Sequence, residues 1–134
     1  MVGRAVSGLA FYVESGSKWA RGKVRDTICP LCPWRVTTDD LADPRSLALW
    51  LNVNGESRQR GSTKTMIFGC AHLVSYISRF MTLLPGDIIA TGTPPGVGLG
   101  KQPPVFLKSG DVMTLGLKGL GAPRQAVRAF TPDV

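Results

Sequence analysis

The residues able to do chemistry concentrate in two short stretches of this 134-residue chain. One is Cys29-Pro30-Leu31-Cys32, which has the C-x-x-C spacing of a metal or redox site. Zinc asks for about four ligands, and only Cys70 and His72 remain to complete a set. A thioredoxin-like pair should open a helix after a strand, whereas Pro30 and Pro33 hold this stretch extended. Three cysteines are also an odd count for a disulfide framework. Free thiols in a reducing cytoplasm are therefore expected.

The other stretch is TGTPPGVGLGK, Thr91 to Lys101. A P-loop needs Gly-Lys-Ser/Thr, but here Gln102 follows the lysine and position 95 is Pro95. A dinucleotide fingerprint must open a helix, which Pro103 and Pro104 forbid. What survives is a loop both tight and stiff. Gly92, Gly96, Gly98 and Gly100 let the backbone approach closely, while Pro94 and Pro95 remove looseness. Such a loop can offer N–H groups and a hydroxyl to an oxyanion with little ordering cost. Composition alone favours the plainer alternative, a loop packed at a sheet edge.

The elements that must position this loop are written on both sides of it. Upstream, Leu47, Leu49, Leu51 and Val53 alternate with Ala48, Trp50 and Asn52, the period-2 pattern of a half-buried strand. Asn54-Gly55 supplies a type I′ turn, and the chain returns through Glu56 to Arg60. The segment from Gly69 to Leu84 has the helical period, with Cys70, Leu73, Val74, Ile77, Phe80 and Met81 on one stripe. His72, Ser75 and Arg79 lie on its other faces. Pro85-Gly86 stops that helix, and DIIAT, from Asp87 to Thr91, is predicted as a short buried strand leading into the loop. Downstream, a turn at KSGD introduces VMTLGLKGLG, and RQAVRAF closes the fold as a last strand. Asp87 and Asp111 each follow a glycine, where turn chemistry explains an aspartate. Residues 39–44 read as a surface loop, and Trp19, Trp34 and Trp50 as packing residues.

Composition narrows the function classes. An apolar share of 43% is that of a globular chain, and no apolar run approaches the roughly 20 residues of a membrane span. The start, MVGRAVSGLAFYV, has the outline of a signal peptide without a small-x-small cleavage site, so export is not expected. The net charge of +7 favours an anionic partner. The 16 basic residues are scattered, however, from Arg4 to Arg128, with no run beyond RQR. A nucleic-acid binder would cluster them, so a small anionic substrate is the expected partner.

Read in order, GKVRDT, CPW, VNGE, TKTMIFG, ISRFMTLLPGDIIATGTPPGVG and PPVFLKSGD resemble the fumarylacetoacetate hydrolase family from about Val6 onward. The likeness is strongest to bacterial members described as ureidoglycolate lyases or general hydrolases. It implies a mainly β fold with one amphipathic helix, a rolled mixed β-sandwich. It also implies a homodimer, or pairing with an intact homologue. Residues 1–134 would form one partial domain, the C-terminal part of such an enzyme. In this family Mg²⁺ or Mn²⁺ chelates an oxo acid and stabilises the enolate-like charge that develops as a bond breaks.

Carried over residue by residue, Lys23 would be the cation facing that charge. Thr93 would donate to a substrate carboxylate, with Gly92 keeping the backbone close. Thr27 falls where some members have a residue near the metal. The family holds its ion with a Glu-x-Glu pair, whose i, i+2 spacing puts both carboxylates on one side of a strand, and with a later aspartate. This chain has no Glu-x-Glu, since its glutamates are Glu14 and Glu56. Ala5 occupies the expected aspartate position, and Tyr12 stands where a glutamine is common. The upstream His–Glu acid/base pair is missing too. Tight metal binding is therefore not expected, and a mechanism relying on the ion would lose several kcal/mol of barrier lowering.

Overall fold

The computed structural model describes residues 2–3, 23, 31–32, 35–37, 39–41, 43–129 and 131. Its elements are β1 (Val2–Gly3), β2 (Leu31–Cys32), β3 (Ala48–Val53), β4 (Glu56–Ser62), α1 (Cys70–Ile77), β5 (Val112–Leu117) and β6 (Arg124–Ala126). β1 pairs with β2, and the other four strands form one sheet in the order β4-β3-β5-β6. All four ladders are antiparallel. The protein is mainly antiparallel sheet with one helix among the described residues, as expected.

The expected hairpin is present. Asn54 and Gly55 have φ of 51° and 84°, the positive pair that a type I′ turn requires. Leu49, Leu51 and Val53 lie opposite Leu117, Leu115 and Met113 across the β3–β5 ladder. Because directly opposed residues share a face, one apolar face results. Its most enclosed members are Val53, Met113 and Leu115, at 7%, 4% and 7% exposure, with Leu120 at 3% beyond the end of β5. Val36, Leu41, Leu47, Leu51 and Leu117 pack around Leu115 and Leu120. On the other face Trp50 lies across Gly116, where a Cβ would come within 3.0 Å of the indole. Arg60 caps that ring at 5.9 Å from its centroid. Trp50 is thus a packing residue, as its sequence context suggested. Trp19 and Trp34 lie outside the described residues.

Two expectations need correction. The helix ends at Ile77 rather than running to Leu84. Ser78 turns its hydroxyl onto the Ser75 carbonyl at 3.0 Å, and Arg79 and Phe80 bond three residues back, to Tyr76 and Ile77. The last turn therefore tightens instead of propagating. DIIAT is not a strand: residues 87–91 join no ladder, and Ile88 is exposed. An apolar run makes a strand only where a partner completes its hydrogen bonds, and among the described residues β3, β4, β5 and β6 pair with one another. The apolar stripe expected of that helix is only partly covered, with Leu73 and Ile77 half-buried, Val74 exposed within α1, and Phe80 and Met81 exposed past its end.

Candidate functional site

The glycine loop does sit on a sheet edge, and the way it is held decides what it can do. β3 and β4 keep simple hairpin register only as far as Asn52 opposite Ser57; Leu51 then faces Gln59, leaving Arg58 as an extra residue. A one-residue bulge exchanges the faces of everything beyond it. Gln59 is thereby turned to the side of Leu51, and Arg60 to that of Trp50.

On that side Gln59 meets the loop. Its Nε2 donates to Thr93 Oγ1 at 2.8 Å and to the Pro94 carbonyl at 2.7 Å. Two glycines make the seat possible. A Cβ on Gly61 would come within 2.6 Å of the Pro94 ring, and one on Gly96, at φ +106°, would strike the Arg58 carbonyl. Pro94 is half-buried, whereas Thr93 and Gly92 face solvent. Gly92 has φ +104°, with no atom within 4 Å of where a Cβ would lie. The loop thus presents a hydroxyl and a bare stretch of backbone on a fixed base. That arrangement suits an oxyanion.

Of the other residues singled out by sequence, Lys23 lies half-buried in a turn. Thr27 and Ala5, together with Tyr12 and Cys29, fall outside the described residues. Asp87 accepts the Leu84 N–H at 2.7 Å. Asp111 accepts the Lys108 N–H at 2.8 Å and the Asn54 amide at 2.9 Å. Those bonds, to the Lys108 backbone first and then to the Asn54 side chain, hold the Asp111 carboxyl below its ordinary 3.8. Both aspartates serve turns. His72 is exposed and stacks between Phe68 and Tyr76, at 4.7 and 6.3 Å. Cys70 is an exposed free thiol at the start of α1. Among the described residues no three His, Cys, Asp or Glu side chains gather as a metal site would need.

Gln59 is the residue that sequence reasoning missed. Simple register from the Asn-Gly turn would place it opposite Trp50, and nothing in SRQRG announces the bulge.

Residues 5–128 match the family model described as the C-terminal part of fumarylacetoacetate (FAA) hydrolase. The chain belongs to the fumarylacetoacetate hydrolase family. It is 55% identical over 115 residues to the 2,4-didehydro-3-deoxy-L-rhamnonate hydrolase of Sphingomonas sp. (strain SKA58), covering 85% of this chain and 40% of that protein. Among solved structures it resembles the fumarylacetoacetate hydrolase of Exiguobacterium antarcticum, with a TM-score of 0.85 and 42% identity. That match covers 92% of this chain and 44% of the other. It also resembles the 2-hydroxyhepta-2,4-diene-1,7-dioate isomerase of Mycobacterium marinum, with a TM-score of 0.80 and 40% identity over 94% of this chain and 46% of that one. Hydrolases and an isomerase thus share this fold, and the chain spans less than half the length of each. No helix among the described residues is long and apolar enough to cross a membrane.

Proposed function

We propose that this chain carries the carboxylate-binding part of a family hydrolase or lyase acting on a small oxo acid. One observation supports the reading above others: Thr93 and Gly92 stand exposed on a loop whose base is bolted to β4 through Gln59 and Pro94. Thr93 donates to the substrate carboxylate, and the open backbone at Gly92 lets it come close. When a bond beside the oxo group breaks, its electron pair moves onto the oxo oxygen, and the Lys23 ammonium faces that charge. The family is generally metal-dependent. The contribution of the described residues is to bind and orient the acid and to meet developing charge; no metal-ligand cluster occurs among them. Turnover of acylpyruvates, ureidoglycolate and 2,4-didehydro-3-deoxy-L-rhamnonate, with Mn²⁺ added, tests this. The expectation is slow turnover that Lys23→Ala abolishes; a variant as active as the parent contradicts the role of Lys23.

A second reading has its own support. Ile67, Phe68, Phe80, Met81, Leu84 and Ile88 expose a broad apolar surface around α1, more than a lone soluble domain usually leaves open. It favours a non-catalytic member that pairs with a second copy or with an intact relative. Co-purification with such a relative is the expected result, and an isolated monomer at high concentration contradicts it.

A further inference from the structure

We propose that Gln59 is a positioning residue that fixes the polarity of the Thr93 hydroxyl, making it a donor toward an incoming carboxylate; the inference rests on the functional reading above. The side-chain atom of Gln59 that lies 2.7 Å from the Pro94 carbonyl oxygen must be the NH₂ group, because two carbonyl oxygens would repel at that distance. That assignment settles which end of the amide points at the loop. An NH₂ has two hydrogens, and the second is directed to Thr93 Oγ1 at 2.8 Å. Thr93 therefore accepts from Gln59, and its own hydrogen is turned away. No acceptor for that hydrogen occurs among the described residues. The hydroxyl is exposed, so its free hydrogen is presented to solvent or to whatever anion displaces it. A threonine free to rotate would spend part of its time offering a lone pair, which a carboxylate rejects.

The bulge at Arg58 is what permits this, since it alone brings Gln59 to the loop side of β4. The selectivity that follows is for acceptor-only ligands, carboxylates above all, over amides or alcohols of the same shape.

The test uses the whole 134-residue chain, with pyruvate as the probe and pyruvamide as its neutral counterpart, followed through the amide signals of Gly92 and Thr93. Pyruvate is expected to bind and pyruvamide to bind at least about tenfold more weakly. Gln59→Met should weaken pyruvate by about tenfold. Gln59→Glu, whose carboxylate draws the Thr93 hydrogen inward and repels the ligand, should abolish binding. Thr93→Val should weaken pyruvate by about tenfold, as Gln59→Met does, and combining the two should cost no more than either alone, since they act as one unit. Gln59→Glu binding as well as the parent, or independent losses in the double variant, overturns the proposal. A readout without ligand keeps the two claims apart. The Gln59 side-chain amide hydrogens should exchange more slowly than those of exposed Gln102, and equal exchange overturns the proposal. Slow exchange with no pyruvate binding upholds the orientation and removes the functional reading instead.

Discussion

Asn54 and Gln59 sit five residues apart on one hairpin, and each uses a primary amide to clasp a distant turn, but the two clasps end differently. Asn54 donates to Asp111 at 2.9 Å, accepts the Val112 N–H at 2.8 Å, and its own backbone N–H reaches the Val112 carbonyl at 2.8 Å. Asp111 in turn takes the Lys108 N–H. That circuit ties one end of the hairpin to β5 through both backbone and side chain, with one exposed Asn54 amide hydrogen left over. Gln59 spends both amide hydrogens on Thr93 and Pro94 and leaves the Thr93 hydrogen unused at the surface. The first clasp joins two strands of one sheet and is architecture. The second clasp holds a loop rather than a strand, and what it orients is the hydroxyl on which the functional reading rests.

Several experiments would break or sharpen that contrast. The largest effect should come from the core beneath both clasps: Leu115→Ala is expected to cost about 2–5 kcal/mol, read as a lowered urea midpoint, and to loosen both turns together. A loss below about 1 kcal/mol would mean that the clasps do not share one support. Asn54→Ala should cost about 1–2 kcal/mol, because it removes the bonds to Asp111 and the Val112 N–H and puts alanine at positive φ. Gln59→Met should change stability by less than about 1 kcal/mol, yet speed amide exchange at Gly92, Thr93 and Gly96. If the two variants destabilise equally, the division between frame and site is wrong.

The smallest effect is in pH. The folded Asp111 carboxyl lies below its ordinary 3.8, held there by the Lys108 N–H and by Asn54. Its contribution is complete above the unfolded value and fades as pH falls through the lower folded one. Acidification beneath about pH 4 should therefore loosen the Asp111 turn, and Asp111→Asn should remove that dependence. The Gln59 clasp contains no ionisable group, so the Thr93 loop should not follow. Amide exchange measured from pH 6 to pH 3 separates the two.

Much of the frame is legible in the sequence because its causes are local. Asn54-Gly55 dictates its own turn, the leucine alternation dictates a face, and KSGD dictates the bend before Val112. What escapes is whatever depends on partners far along the chain. DIIAT has the composition of a strand but joins no ladder among the described residues, and the apolar stripe of α1 marks a face without saying what covers it. Gln59 escapes for a subtler reason. A single extra residue at Arg58 reverses which face it occupies, and the cause of that slip, the fit of Gly61 and Gly96 against residues 94 and 58, lies in contacts that no local pattern encodes. The TGTP loop itself was visible as stiff and glycine-rich. Its likeness to the family, rather than its composition, pointed to Thr93.

The most direct test is a crystal structure of the chain with pyruvate bound. A carboxylate oxygen should lie about 3 Å from Thr93 Oγ1, against the open backbone of Gly92, with Lys23 Nζ reaching the oxo oxygen of the same molecule. Pyruvate seated elsewhere, or Lys23 on the far side of the sheet from Thr93, would contradict the account.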